Sequence, residues 1–214
     1  MNEIDIQKLR LDYSKHSLDA DDVEKDPLNQ FKKWFTEAIE SNVLEPNAFN
    51  LATVDKHNHP KSRIVLLKGL ESGIFRFFTN YESDKGKDLA LNKHVSICFF
   101  WKELERQIRI QGTAEKLSTE ESELYFKSRP YLSQIGAHSS HQSEIVPNRD
   151  FLDEQFQHML SKFSEGNVPL PDTWGGYGIT PTYFEFWQGR PSRLHDRISY
   201  KWIGNAWDIK RLSP

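Results

Sequence analysis

Apolar residues recur along this chain with two different periods, and each change of period marks a change of element. After Asp26-Pro27, the residues Leu28, Phe31, Phe35 and Ile39 fall at helical spacing, and Trp34 and Ala38 widen the stripe. Asp26 reads as the N-cap and Pro27 as the first helical position. The period then shortens. Strands are predicted over 48–54, 63–67, 73–79 and 95–101, with a polar turn over 55–60 and a short helix over 85–92. A further strand over 105–117 alternates cleanly, Ile108, Ile110, Gly112 and Ala114 on one face and Gln107, Arg109, Gln111 and Thr113 on the other. Ser118-Thr119-Glu120-Glu121 is a capping box for a helix running to Arg129-Pro130, and Ser133 is expected to cap the next. Phe151, Leu152, Phe156, Met159, Leu160 and Phe163 predict an amphipathic helix that stops near Gly166. Strands over 177–187, 197–203 and 207–212 follow, the last two joined by Gly204-Asn205.

Short strands with helices inserted between them predict a mainly β, α+β architecture, an antiparallel barrel or sandwich with peripheral helices. Strands and helices do not alternate regularly, which argues against a doubly wound sheet. Residues 1–25 carry Asp19, Asp21, Asp22 and Glu24 and read as a mobile N-terminal arm, leaving 26–214 as one domain.

Composition narrows the partners. A net charge of -3 with dispersed Lys and Arg gives no general attraction to nucleic acid or to an anionic membrane. No apolar run approaches the roughly 20 residues that span a bilayer. Residues 1–10 lack an apolar signal core, so a cytoplasmic protein is expected. Cys98 is the single cysteine, inside an apolar run where a thiol stays inert.

The chemistry is expected in Trp187-Gln188-Gly189-Arg190-Pro191-Ser192-Arg193-Leu194-His195-Asp196-Arg197. In an extended chain Arg193, His195, Arg197, Ser199 and Lys201 share one face, opposite Leu194, Ile198, Tyr200 and Trp202. Cationic groups on one face beside a tryptophan suit an anion or a flat heterocycle, although a solvated strand face reads equally well. Arg63-Ile64-Val65-Leu66-Leu67-Lys68 brackets an apolar strand with cations, while Tyr125, Arg129 and Ser133 recur every four residues. With Lys68, these last three would satisfy a phosphate dianion. Together the two sets suggest two anionic groups. Trp174-Gly175-Gly176-Tyr177-Gly178 lies ahead of a strand and not between strand and helix, so a bend with close packing is preferred to a phosphate loop. His57 with His59, and His138 with His141, lack further ligands at familiar spacing, and no metal is expected.

Beyond these readings, the chain resembles the pyridoxine/pyridoxamine 5′-phosphate oxidases, FMN-binding split-barrel enzymes. Arg63–Lys68, Phe78-Thr79-Asn80, Glu105-Arg106-Gln107, Tyr125–Pro130, Ser133–Ala137, His141-Gln142-Ser143, Val168–Pro171, Trp174-Gly175-Gly176, Glu185–Gly189 and Arg193–Arg197 carry the likeness, which runs from about Arg10 to Pro214. The resemblance implies a homodimer with FMN at the subunit interface. Arg63 and Lys85, helped by Gln142 and Ser143, would hold the FMN phosphate. Ile64, Val65, Leu66, Leu67, Lys68, Phe78, Thr79, Gln107, Trp187 and Arg197 would line the flavin. Lys68, Tyr125, Arg129 and Ser133 would take the substrate phosphate. Arg193 and His195, with Leu194 between them, would approach the substrate ring as the catalytic pair, and Arg10 and Tyr13 would close an arm over it. The implied reaction oxidises pyridoxine 5′-phosphate or pyridoxamine 5′-phosphate to pyridoxal 5′-phosphate, with molecular oxygen as acceptor and hydrogen peroxide as by-product. A split-barrel protein that only holds flavin or pyridoxal phosphate is the alternative, and a nicotinamide-using flavin reductase is a third. Two positions depart from the family pattern. Asp84 stands where an arginine usually precedes the lysine, which implies weaker FMN retention, and Leu11-Asp12 replace a basic residue of the arm.

Overall fold

Asp26 opens the first helix of the computed structural model, which describes residues 12–214. Its carboxylate accepts from the Leu28 amide, and Pro27 starts helix α1 (Pro27–Glu40). The buried stripe of α1 is Gln30, Phe31, Trp34 and Ala38. Ile39, expected in that stripe, is 53% exposed. Eight residues carry it about 80° around the helix from Phe31.

The strands are β1 (Ala48–Val54), β2 (Pro60–Leu66), β3 (Gly69–Glu71), β4 (Ile74–Asn80), β5 (His94–Trp101), β6 (Arg106–Lys116), β7 (Trp174–Gln188), β8 (Asp196–Ile203) and β9 (Ala206–Arg211). Between them lie helices α2 (Asp84–Leu91), α3 (Thr119–Ser128), α4 (Tyr131–Ser139) and α5 (Arg149–Lys162). Hydrogen bonding orders the strands β2-β1-β5-β6-β7-β4-β3, with β8 added to β7 and β9 to β8. The mainly β, α+β class expected from the pattern is the class found.

The chain forms two compact units. The first gathers the described residues up to Pro46 with Cys98–Ile110 and Thr182–Pro214. Its core is aromatic: Trp34 meets Phe186 edge-on at 5.3 Å, Phe31 meets Phe99 at 5.2 Å, and Phe186 meets Tyr200 at 5.6 Å. Residues 12–25, assigned above to a mobile arm, are tied to this unit. The Glu105 carboxylate accepts from the Ser14 and Lys15 amides, Asp196 accepts from the Leu18 amide, and the Glu24 carbonyl accepts from the Tyr200 hydroxyl. Leu18 is buried.

The second unit comprises Asn47–Ile97 and Gln111–Pro181. In it β1 and β2 form a hairpin in which Leu51 faces Arg63, and β4 pairs with β7 so that Phe78 faces Gly176 and Thr79 faces Gly175. Trp174–Gly178 is therefore strand and not the bend expected before one. Its glycines permit close approach, since a Cβ on Gly175 would sit 2.1 Å from the Tyr81 hydroxyl. The Ser118–Glu121 capping box is formed in full. Ser133 does not cap α4: Pro130 holds that place, and Ser133 sits in the first turn. Helix α5 buries no residue fully but packs Phe156, Met159, Leu160 and Phe163 against Phe126, Ile135, Val168 and Trp174.

Candidate functional site

Within the second unit a cavity of about 530 Å³ opens between β2, β4, α2, α3 and α4. Arg63, Ile64, Val65, Leu66 and Lys68 line it from β2 and its continuation; Phe78 and Thr79 come from β4 and Lys85 from α2. Tyr125, Arg129, Ser133 and Gln142 complete the expected set. Leu67 and Ser143 are not in the lining. Leu67 stands just past the end of β2 and is buried at 8% exposed, outside the cavity lining. Ser143 accepts the Asp84 amide through its hydroxyl, 3.2 Å away.

Two cationic arrangements serve this cavity. In one, Lys85 is buried, and its ammonium donates to the Thr79 hydroxyl at 3.0 Å and to Gln142 Oε1 at 2.8 Å. Burial, and then the nearby Arg63 guanidinium, lower its pKa to about 8; the Asp84 carboxylate opposes both. In the other, Arg129 caps the end of α3 and lies on an aromatic bed, its guanidinium carbon 4.8 Å from the Trp174 ring centre. Tyr125 stacks on Phe78 at 3.9 Å, and Trp174 is near-parallel to both. Arg129 Nη1 is buried and has no hydrogen-bond partner among the described residues. A buried guanidinium N–H without an acceptor costs free energy unless a ligand supplies one. The donor set therefore fits phosphorylated ligands.

The remaining expected residues stand in the first unit. Trp187 pairs with Arg197 across β7 and β8, and its ring centre is 4.6 Å from that of His195. Tyr13 packs edge-on against Trp187 at 5.7 Å and lies 5.9 Å from His195. His195 Nδ1 accepts the Arg190 amide at 3.1 Å, which places the proton of the neutral ring on Nε2. Burial and the Arg193 charge lower the His195 pKa. Arg197 donates to Glu185 at 3.0 Å and to the Ser213 carbonyl at 2.7 Å. Gln107 is half-buried in β6.

The alternation expected over Arg193–Lys201 begins too early. Pro191–Arg193 forms a 3-10 turn with positive φ at Ser192 and Arg193, and β8 starts only at Asp196. Arg193 and His195 thus do not extend the Arg197 face. Leu194 and Trp202, expected in the apolar row, are 70% and 46% exposed, while Ile198 and Tyr200 are fully buried. Arg10 lies outside the described residues.

Residues 35–162 match a family model described as pyridoxamine 5′-phosphate oxidase, and residues 174–214 match one for the pyridoxine 5′-phosphate oxidase C-terminal dimerisation region. A pyridoxine/pyridoxamine 5′-phosphate oxidase from Rippkaea orientalis is 50% identical over 212 residues, 99% of this chain and 100% of the relative. One from Cupriavidus taiwanensis is 53% identical over 207 residues, 96% and 97% of the two chains.

This chain belongs to the pyridoxamine 5′-phosphate oxidase family. The structure of PhzG from Burkholderia lata, solved with tetrahydrophenazine-1-carboxylic acid, is similar with a TM-score of 0.87 and 29% identity, over 94% of this chain and 100% of that one. A pyridoxamine 5′-phosphate oxidase-related, FMN-binding protein from Nostoc punctiforme shares the fold, with a TM-score of 0.71 at 14% identity over 86% of this chain and 97% of its own. The FMN-binding split-barrel class expected from the sequence is the class of this chain.

Some residues that shape the site were not expected as parts of it. Asn80, Gly136, Ala137, Ser140 and Trp174 line the cavity, and Trp174 supplies the bed for Arg129. Buried Asp88 and Glu185 each pair with an arginine of the expected set, Arg63 and Arg197. A lone acidic residue carries no mark of burial in a sequence, so only its partner would have betrayed it. Among the described residues no cluster of His, Cys, Asp or Glu could hold a metal, and no helix is long and apolar enough to cross a membrane.

Proposed function

We propose that this protein is an FMN-dependent oxidase, acting as a cytoplasmic homodimer, that converts pyridoxine 5′-phosphate and pyridoxamine 5′-phosphate to pyridoxal 5′-phosphate. Full-length identity of about half to oxidases of that name supports the reading. The observation that carries it is a single cavity served by two cationic arrangements, the buried Lys85 ammonium and the unpaired Arg129 Nη1. Two ligands with phosphate tails need two such arrangements, whereas storage of one flavin needs one.

Held by Arg63 and Lys85, FMN would supply two-electron oxidation of the substrate carbon, with molecular oxygen as final acceptor and hydrogen peroxide as by-product. The protein's part is placement. Arg63 and Lys85 hold the cofactor phosphate, and Gln142 keeps the ammonium aimed through its 2.8 Å hydrogen bond. The aromatic lining from Phe78 and the β2 side chains fits a flat ring system. Lys68, Tyr125, Arg129 and Ser133 take the phosphate of the substrate, fixing its ring for attack-ready geometry. Arg193 and His195 act on that ring, the neutral His195 offering an N–H from Nε2 to a substrate oxygen or nitrogen. By the same resemblance Trp187 and Arg197 would line the cofactor ring at a subunit interface, and Tyr13 would close over the substrate. The dimerisation-region match over 174–214, which contains Trp187, Arg193, His195 and Arg197, supports a partner subunit's participation. With the alcohol substrate the aldehyde forms directly; with the amine, hydrolysis of the imine releases ammonia.

The test is purified protein loaded with FMN and supplied with each substrate in air. Pyridoxal phosphate and peroxide in equal amounts are expected. Tight FMN binding with neither product would overturn the oxidase reading and favour the flavin-holding alternative.

A further inference from the structure

Arg63 reaches the cavity from an edge-of-hairpin strand, where a long guanidinium side chain has many rotamers, yet its geometry is tightly prescribed from behind. Its Nη1 donates to the Thr53 hydroxyl at 2.6 Å, and the same hydroxyl donates to Asp88 Oδ2 at 2.7 Å. The Asp88 carboxylate also lies 3.7 Å from Arg63 Nη2. Thr53 is 1% exposed and Asp88 4%. The three residues come from β1, β2 and α2, all within the second unit, and α2 also carries Lys85. A hydroxyl that accepts from a guanidinium while donating to a carboxylate has its proton direction fixed. The observed Arg63 side chain meets both groups, and its Nη1 also reaches the Leu51 carbonyl at 3.4 Å.

We infer that Thr53 is a positioning residue for phosphate capture: backed by Asp88, its hydroxyl holds Arg63 aimed at the phosphate of FMN. Thr53 does not touch the cofactor. It acts through Arg63, by removing the entropy that a free arginine side chain would lose on binding. The inference rests on the assignment of Arg63 to the FMN phosphate.

Thr53→Val keeps the shape and the charge of the site while deleting the relay. FMN affinity of the cofactor-free protein, measured by calorimetry or flavin fluorescence quenching, is expected to fall about tenfold, the scale of one hydrogen bond to a charged group. Thr53→Ser restores the hydroxyl and is expected within about twofold of wild type. In an Arg63→Ala background Thr53→Val should cost nothing further, because the group it aims is gone. Wild-type affinity in Thr53→Val, or an equal loss in both backgrounds, would overturn the inference. Melting curves of all variants identify any that fail to fold, and Thr53→Ala replaces the valine variant in that event. Failure of the unmodified protein to bind FMN would instead sink the functional reading, so the two failures are distinguishable.

Discussion

Arg129 lies 4.8 Å above the Trp174 ring with its Nη1 buried and unpaired among the described residues. The aromatic face leaves the guanidinium only its planar fork to offer, which suits a phosphate and does not suit a single acceptor atom. Arg129→Lys keeps the charge but loses the fork. The KM for pyridoxine 5′-phosphate should rise about 10- to 100-fold, with FMN content unchanged. Steady-state kinetics at fixed FMN saturation measure it; an unchanged KM would remove Arg129 from the substrate phosphate.

Lys85 gives two opposite pH dependences. Its pKa is lowered to about 8 from the ordinary 10.5, by burial and by Arg63. Between those values the unfolded chain binds the proton that the folded chain has released. The cofactor-free protein should therefore gain stability as pH rises from about 8 towards 10.5. FMN affinity should fall over the same range, because only the ammonium pairs with phosphate. Denaturant titrations and FMN titrations at a series of pH values check both signs together.

Asp84 is exposed, but its charge opposes the lowering of the Lys85 and Arg63 pKa values, so it lies within reach of both. Asp84→Arg exchanges a repelling charge near the cofactor phosphate for an attracting one. FMN should bind about 3- to 10-fold more tightly at low ionic strength, the gain shrinking in 0.5 M salt, roughly the regime of a few-ångström Debye length. No gain at low salt would mean the carboxylate turns wholly to solvent.

Gly86 follows Lys85 in α2, and a Cβ there would stand 2.1 Å from the Tyr81 carbonyl oxygen. In an open helix Gly→Ala stabilises by up to about 1 kcal/mol. Here the contact is backbone and cannot swing away, so Gly86→Ala should destabilise by about 2 kcal/mol, read from the urea midpoint. Because the displaced turn carries Lys85, FMN should also bind more weakly.

Arg193 sits in a 3-10 turn in which it and Ser192 have positive φ, costly for residues with a Cβ. Arg193→Ala should lose turnover by at least about 100-fold and keep its FMN, as expected of a group that orients only the substrate. Absorbance of bound flavin and peroxide production separate the two effects; wild-type turnover would refute the role.

Elements announced by local chemistry were legible in the sequence. Asp26-Pro27 and Ser118–Glu121 state their helices because the cap bonds span two or three residues. The three-residue β3 was too short to show a period. The extended reading of Arg193–Arg197 failed because the alternation rule presumes strand geometry, and the turn at Pro191–Arg193 withholds it. Arg63–Lys68, Tyr125, Arg129 and Ser133 were read from the residues as two anion-binding sets, and the resemblance added Phe78, Thr79, Lys85 and Gln142; Leu67 shows the limit of transferring a whole segment, since it is buried outside the cavity lining. Thr53 and Asp88 were invisible for another reason. Their meaning exists only once β1, β2 and α2 have met.

The division of the chain into units has a temporal consequence. The second unit is complete in sequence once Pro181 has been synthesised, whereas the first needs Thr182–Pro214 as well as its two earlier pieces. On the ribosome, the residues of the phosphate cavity are all present before the β8–β9 hairpin exists, whereas Trp34 of α1 meets Arg106 early and lacks its Phe186 partner until that residue emerges.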